Sequence, residues 1–448
     1  MGAIYYIFLF SSIIVFIFSG ISLIRAGGIF TILFMMPSIN FISKGASCIV
    51  LDHGSYVTEL MTTTYNIYCA PIYFTLLALF YYCLSVFILL QKKRLNSNIK
   101  ISLRLRFKYI IPIVCLLMIA YLILDMIISG IPLLSNGIIT RFNYWQFFST
   151  LPFASLVSNF ITPLSVALGY SHASSVNINR ASYKYIILLV LFLLTRFLLG
   201  FKVSGILDLV VGYLIGYIYR RYTYKHLSKN ILKQILKFGI IICVFAIGSY
   251  LAYQIFSGTY KTIQEAWDAL ITRQFTLSNH LWWSVINDKQ VCYELLPRTS
   301  SELLSPFLLV GEYTRGIGAY GLMESYAPYS IFASYFQNSI RFAPDFITVS
   351  LFYNGWIITI SFIFINAFIL SIFYKLFVYD AINNRIISFA LLFRIFSIFN
   401  SYLTSTGTLV SFYRPNTLIL IILYIAINLV ENQINKLHKN DFGVKYNI

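Results

Sequence analysis

The chain has 448 residues, of which 59% are hydrophobic and only 11% charged, and its formal net charge is +18 from 33 basic and 15 acidic residues. Soluble domains carry about 25% charged residues, so this composition excludes an ordinary soluble protein. Apolar stretches close to 20 residues recur along the whole length, each enough to cross a hydrocarbon core of about 30 Å.

Only helices and closed barrels satisfy their backbone groups inside a bilayer. Barrel strands alternate apolar and polar residues, and these runs do not. The expected fold is therefore all-α: a polytopic transmembrane helical bundle of about ten to twelve spans, with one large outward-facing loop domain of short helices. In a soluble protein the basic excess would suggest nucleic acid. In a membrane protein it marks cytoplasmic loops, and no nucleic-acid partner is expected. The six cysteines are scattered, with no CxxC pair and no metal-ligand spacing, so neither a disulfide framework nor a zinc site is indicated.

Residues 3–24 read as the first span. No basic n-region precedes them and no clear cleavage site follows, so the segment is read as a retained helix rather than a signal peptide. The run 28–43, which contains Pro37, is a marginal second span. A polar loop from Lys44 to about Asn66 carries Asp52, His53 and Glu59, and a further span covers about 67–90. Lys92, Lys93, Arg94, Lys100, Arg104, Arg106 and Lys108 then form the strongest basic cluster, which places that loop in the cytoplasm.

Orientation propagates from this anchor. Spans at 109–129 and 149–169 go out and back, leaving Arg180 and Lys184 inside. Spans at 185–200 and 203–219 flank Lys202 on the outside. Arg220, Arg221, Lys225, Lys229, Lys233 and Lys237 form the next inside patch, and a span at 238–256 leads out again. A long non-spanning stretch, 257–345, follows. The chain returns at 346–374, closed by Lys375 and Arg385 inside, and spans at 386–404 and 416–430 complete the bundle with the C-terminal lysines inside. If 28–43 crosses, the spans number about eleven and the N-terminus is outside; otherwise they number about ten and it is inside. Three parts result: an N-terminal bundle 1–256, a large outer loop domain 257–345, and C-terminal helices with a cytoplasmic tail 346–448.

The stretch 257–345 carries Glu265, Asp268, Asp288, Glu294, Glu302, Glu312, Glu324 and Asp345, more than half of the 15 acidic residues. Connections of this length are functional or disordered, and its tryptophans (Trp267, Trp282, Trp283) and many tyrosines argue against disorder. It reads as an ordered cap of short helices on the membrane face, with a purely structural belt of interfacial aromatics as the alternative. Guanidinium groups grip phosphate oxygens bidentately, and aromatic faces suit the apolar faces of sugar rings. Arg273, Arg298, Arg315 and Arg341, with Arg414 in the last outer loop, therefore suit a glycan carried on a lipid phosphate. Pairing of each arginine with a neighbouring carboxylate is the alternative.

His280 follows Arg273 by seven residues, two helical turns, so on one helix both could share a face, and His280 is a candidate proton acceptor, or an interfacial packing residue. Glu312 and Glu324 are candidate carboxylates for the same role. Lys202 lies in Gly200-Phe201-Lys202-Val203-Ser204-Gly205, a short outward turn where the charge rule would not place a lone cation; it binds an anion or pairs with Asp208. Arg196 and Arg394 lie inside apolar segments, where charge is costly and points to a functional interior or to pairing with Asp125 or Asp208. No GxxxxGK[ST] is present to bind ATP, no HExxH, and no DxD pair for a metal-dependent glycosyltransferase.

In layout the chain resembles the Wzy-type O-antigen (oligosaccharide repeat unit) polymerases of Gram-negative inner membranes. The resemblance rests on the early basic loop 92–108, the glycine-lysine turn 200–205, Leu296-Pro297-Arg298 in the large loop, and Ala343-Pro344-Asp345 followed by Leu351-Phe352-Tyr353-Asn354-Gly355. The Trp-Pro and Lys-Pro pairs expected soon after Arg298 are missing. The resemblance implies a membrane glycosyltransferase of the inner membrane whose large loop faces the periplasm. Its substrates would be oligosaccharide repeats on undecaprenyl pyrophosphate, and a chain-length regulator protein its partner. The growing glycan would move from its lipid carrier to the free sugar end of a new repeat, with no metal or cofactor. Lys202, Arg196, Arg273, Arg298, Arg315, Arg341 and Arg414 would hold pyrophosphate or glycan. His280, Glu312 or Glu324 would take the acceptor proton. An O-antigen ligase or other lipid-dependent glycosyltransferase is the nearest alternative. A lipid-linked oligosaccharide flippase is another, though flippases are built from repeated spans with short loops.

Overall fold

The computed structural model describes residues 2–95, 107–135, 139, 141, 143–176, 183–201, 203–222, 231–296, 301–304, 314–337, 340–410 and 414–441. Among them the chain is helical almost throughout; its strand content is one two-stranded hairpin, β1 (Tyr56–Val57) against β2 (Thr62–Thr63). Among the described residues seven segments are long and apolar enough to cross a membrane: Ala3–Asp52, Cys69–Lys92, Ile110–Leu134, Gly239–Phe256, Phe346–Ile382, Ile386–Thr406 and Pro415–Gln433. The protein is therefore a multi-pass helical membrane protein. The chain forms two compact units, each discontinuous in sequence.

Unit 1 comprises Met1–Arg94, Leu270–Lys375 and Ile395–Ile421. Helix α1 (Ala3–Gly27) ends where Gly28 takes a left-handed φ of 64°, and a 3-10 segment (Gly28–Phe34) leads into α2 (Met35–Asp52). The two helices double back on each other: Tyr5 Oη donates to Asp52 Oδ2 at 3.3 Å, tying the start of α1 to the end of α2. Pro37 sits in the first turn of α2, where its missing N–H would have no partner in any case. The helix runs on through Lys44 to Asp52, so the polar loop expected from Lys44 begins only after Asp52. Lys44 is accommodated because its Nζ donates to Ala343 O at 2.6 Å and lies 3.8 Å from the Asp345 carboxylate.

Asp52 also accepts from the backbone N–H groups of Cys69 (3.2 Å) and Ala70 (2.9 Å), capping α3 (Cys69–Leu95). Asp345 does the same for α15 (Phe346–Ile382): its Oδ1 accepts from Thr348 N at 2.8 Å and Thr348 Oγ at 2.7 Å. Helix α15 is interrupted at Gly355, whose φ of 70° and ψ of −178° are open to glycine alone. The N–H groups freed at the break are taken up by Glu294 O (from Trp356 N, 3.2 Å) and Leu295 O (from Ile357 N, 3.2 Å). Irregular backbone at a spanning helix is tolerated only where protein repairs the hydrogen bonds in this way.

Where a cap of short helices is expected, the chain forms α9 (Ile263–Phe275), α10 (His280–Asn287), α11 (Lys289–Cys292), α12 (Ser301–Leu304), α13 (Gly318–Tyr326) and α14 (Tyr329–Gln337). Residues 270–345 belong to unit 1 together with the spans rather than forming a body of their own. Two tryptophans dock α10 on the start of α3: Trp282 Nε1 donates to Cys69 O and Trp283 Nε1 to Tyr65 O, both at 3.0 Å. Buried Glu302 clamps three segments, accepting from Thr408 Oγ (2.7 Å), Leu409 N (2.9 Å) and Gly318 N (3.2 Å). Burial pushes its carboxyl above the ordinary range, and these three donors pull it back.

Unit 2 comprises Leu95–Ala269, Leu376–Arg394 and Ile422–Ile448. It contains α4 (Phe107–Ser129), α5 (Ala154–Val176), α6 (Tyr183–Leu198), α7 (Ser204–Tyr222) and α8 (Ile231–Phe256), with parts of α15, α16 (Ile386–Ser401) and α17 (Pro415–Asp441). Helices α5 to α7 form where spans are expected, although they are not among the seven segments that meet both length and apolarity. The backbones of α5 and α7 nearly touch: a Cβ at Gly169 would sit 2.0 Å from Tyr213 O, and one at Gly216 2.1 Å from Val166 O. Small residues permit such close approach between membrane helices. Fully buried Asp125 gathers Tyr144 Oη (2.8 Å), Ser149 Oγ (2.9 Å) and Leu151 N (3.0 Å), fixing the end of α4 against the segment before α5.

Candidate functional site

A polar cluster in unit 1 combines a proton acceptor, its partner and a cation. Glu59 stands between β1 and β2, and His280 opens α10. The two side chains meet, with His280 Nε2 3.2 Å from Glu59 Oε2. His280 Nδ1 is 2.8 Å from Leu277 O. That carbonyl can only accept, so Nδ1 carries the proton and Nε2 presents its lone pair towards Glu59. Nε2 is otherwise unpartnered and the residue is 2% exposed. Phe342 packs edge-on against the imidazole at 4.7 Å.

The electrostatics divide the pair. Burial pushes Glu59 up from 4.5 to about 7, against the opposing pull of a hydrogen bond from Tyr335 and the charge of Arg273. Burial pushes His280 down from 6.5 to about 4; its bond to Leu277 acts the other way, and the charge of Lys44 adds to the lowering. The distance alone would suggest a salt bridge, but a neutral imidazole and a half-ionised carboxyl are what burial enforces, so the contact is not an ion pair near neutral pH. Tyr335, on α14, donates to Glu59 Oε1 at 3.1 Å and remains protonated, since burial raises it to about 12. Arg273, in the last turn of α9, is exposed, and Glu59 keeps 17% of its side-chain surface open. A carboxylate that titrates near neutrality, reaches solvent and lies beside a guanidinium can take a proton from a hydroxyl while the cation holds an anion.

Of the sequence candidates, His280 meets Glu59, whereas Arg273 lies on a separate helix, α9, rather than on one face with His280, and acts on Glu59 and Tyr335 through its charge. Arg315 and Glu324 pair with each other: Arg315 Nε and a terminal guanidinium nitrogen both lie 2.7 Å from Glu324 Oε1, and Phe332 packs under the guanidinium at 5.6 Å. Arg341 is half-buried and Arg414 exposed, both in unit 1. Arg196 lies in unit 2, where it hydrogen-bonds to Ser158. Lys202, Arg298 and Glu312 fall outside the described residues. Glu59 is visible in the sequence only as one acid of a polar loop. No periodicity joins it to a histidine more than two hundred positions away, and nothing marks Tyr335 among 35 tyrosines.

Residues 312–421 match a family described as "Family of unknown function (DUF6418)". This match begins within the short-helix segment and takes in α13, α14, the broken helix α15 and α16. No curated protein matches the chain, and no solved structure does.

Proposed function

We propose that the protein is a membrane glycosyltransferase that polymerises oligosaccharide repeats carried on a lipid pyrophosphate. The observation that carries this reading is the Glu59–His280 pair beside Arg273, next to the membrane spans of unit 1. In the reaction the acceptor sugar hydroxyl loses its proton to the Glu59 carboxylate. Its oxygen bonds to the anomeric carbon of the donor chain, the bond from that carbon to the pyrophosphate oxygen breaks, and the pyrophosphate leaves with the electron pair. Arg273 offsets the charge that develops on the leaving group, which is where a fixed cation lowers the barrier most. His280 orients the Glu59 carboxyl and shares its proton between turnovers.

The reading places the short-helix segment of unit 1 on the outer face of the inner membrane, because the basic residues after α3 belong inside. It is tested with purified full-length protein in liposomes supplied with a single lipid-linked repeat. A ladder of longer glycans is expected, and Glu59→Gln abolishes it. Movement of the unaltered repeat across the bilayer would overturn the reading in favour of a flippase. Transfer of the glycan only to a different lipid acceptor would overturn it in favour of a ligase.

A further inference from the structure

Unit 2 holds two arginines within apolar helices. Arg196 is on α6, and Arg394 is in the segment Ile386–Thr406, one of the seven long and apolar enough to cross. Both lean on the same turn of α5: Arg196 donates to Ser158 Oγ (3.0 Å) and Ser158 O (2.7 Å), and Arg394 to Asn159 Oδ1 (3.3 Å). Among the described residues their hydrogen bonds therefore go to neutral groups. The charge of Arg394 acts on Arg196, and the carboxylate of Asp208 on α7 acts on both. Arg196 is 6% exposed and its Nε–H has no partner among the described residues, so a strong donor is buried without a protein acceptor there. The ring of Phe201 carries the Arg196 guanidinium at 4.6 Å and that of Arg141 at 5.3 Å, which adds a further cation to the same end of the helix pair.

Bringing like charges together inside a bilayer is costly, and one carboxylate against two guanidiniums leaves net positive charge there. A structural ion network would balance. Among the described residues this one lacks an anion with several acceptor oxygens, which is the description of a phosphate. We propose that unit 2 contains a phosphate-binding site formed by Arg196 and Arg394, which takes the head group of an amphiphile whose tail lies in the bilayer. Both a phospholipid and an isoprenoid diphosphate supply this chemistry. The site lies in unit 2 and does not depend on the base in unit 1.

The test is native mass spectrometry of the full-length protein in detergent, with phosphatidylglycerol, farnesyl diphosphate or uncharged farnesol added. Wild type is expected to retain a phosphate-bearing ligand and not farnesol. Preference for phosphatidylglycerol identifies a phospholipid head group, and preference for farnesyl diphosphate an isoprenoid diphosphate. Arg196→Gln with Arg394→Gln should weaken retention by about tenfold, as expected for lost charge-assisted hydrogen bonds. Asp208→Asn should strengthen it, since that carboxylate competes with the ligand for both arginines. The second variant decides if the first does not fold. Equal retention of farnesol, unchanged binding in the double arginine variant, or unchanged or weaker binding in Asp208→Asn would each overturn the proposal.

Discussion

Glu59 and His280 shift in opposite directions for one reason: burial disfavours the charged form of each, and the charged forms have opposite sign. A carboxyl raised from 4.5 to about 7 holds its proton more tightly in the folded protein than in the unfolded one. Its contribution to stability is thus fully present below about pH 4.5 and is lost as pH rises through 7. Relative to Glu59→Gln, wild type should lose stability over that window, with a slope of at most about 1.4 kcal/mol per pH unit. Thermal denaturation of both proteins in detergent across pH 4 to 8 measures the difference, and parallel curves would contradict the assignment. Activity runs the other way, because the base works only when ionised: turnover should rise with pH through about 7. The charge of Arg273 lowers the Glu59 carboxyl, so Arg273→Gln should move this midpoint to higher pH, with Arg273→Lys restoring it. A midpoint that stays in place in Arg273→Gln would remove Arg273 from the site.

Among the helices, the decisive features are places where backbones approach or break. Gly355 combines a glycine-only conformation with carbonyl oxygens on the side where a Cβ would point, 2.7 Å away for Leu296 and 2.9 Å for Glu294. Gly355→Ala should therefore cost about 1–3 kcal/mol and loosen the segment 292–296 from α15. Faster proteolysis near Leu296, with a lower melting temperature, is the expected readout. In unit 2 the contact between α5 and α7 offers a paired comparison. Gly216→Ala drives a methyl into the Val166 carbonyl, whereas Gly248→Ala on α8 meets nothing within 4 Å. The first should abolish stable expression. The second should be neutral or gain up to about 1 kcal/mol from helix propensity. Similar expression of the two variants would show that the backbones of α5 and α7 are not in contact.

For the whole molecule the open variable is which side faces out, and unit 1 supplies a ruler. Helix α3 starts at Cys69, whose carbonyl holds Trp282, and its spanning part ends at Lys92. A rise of 1.5 Å per residue separates these ends by roughly 35 Å, about the thickness of a bilayer. Lys289 of α11 and Lys92 are both exposed. With Cys243 and Cys292 changed to serine, an impermeant maleimide applied to intact cells should label Lys289→Cys, and should reach Lys92→Cys only after permeabilisation. The reverse pattern would invert the topology and with it the proposed function.

The helical class, the rough place of most helices, and the short helices between 257 and 345 follow from composition and hydropathy, because solvation in a bilayer acts on each segment separately. The number of spans does not, since among the described residues seven segments rather than about ten to twelve are long and apolar enough to cross. Helices α4 and α6 to α8 begin or end within a few residues of the expected bounds for this reason. Pairing between distant segments is different, since it depends on which side chains the packed helices bring together. Lys44 reads as a loop residue until Asp345 and Ala343 give it partners inside a helix. Arg315 reads as a phosphate ligand until Glu324 is found on it. His280 is conspicuous as a titratable residue, yet what makes it a candidate for chemistry is Glu59, brought to 3.2 Å only by the docking of α10 on α3. Local solvation determined the elements; long-range packing decided which charges meet, and therefore where a proton or a phosphate can be held.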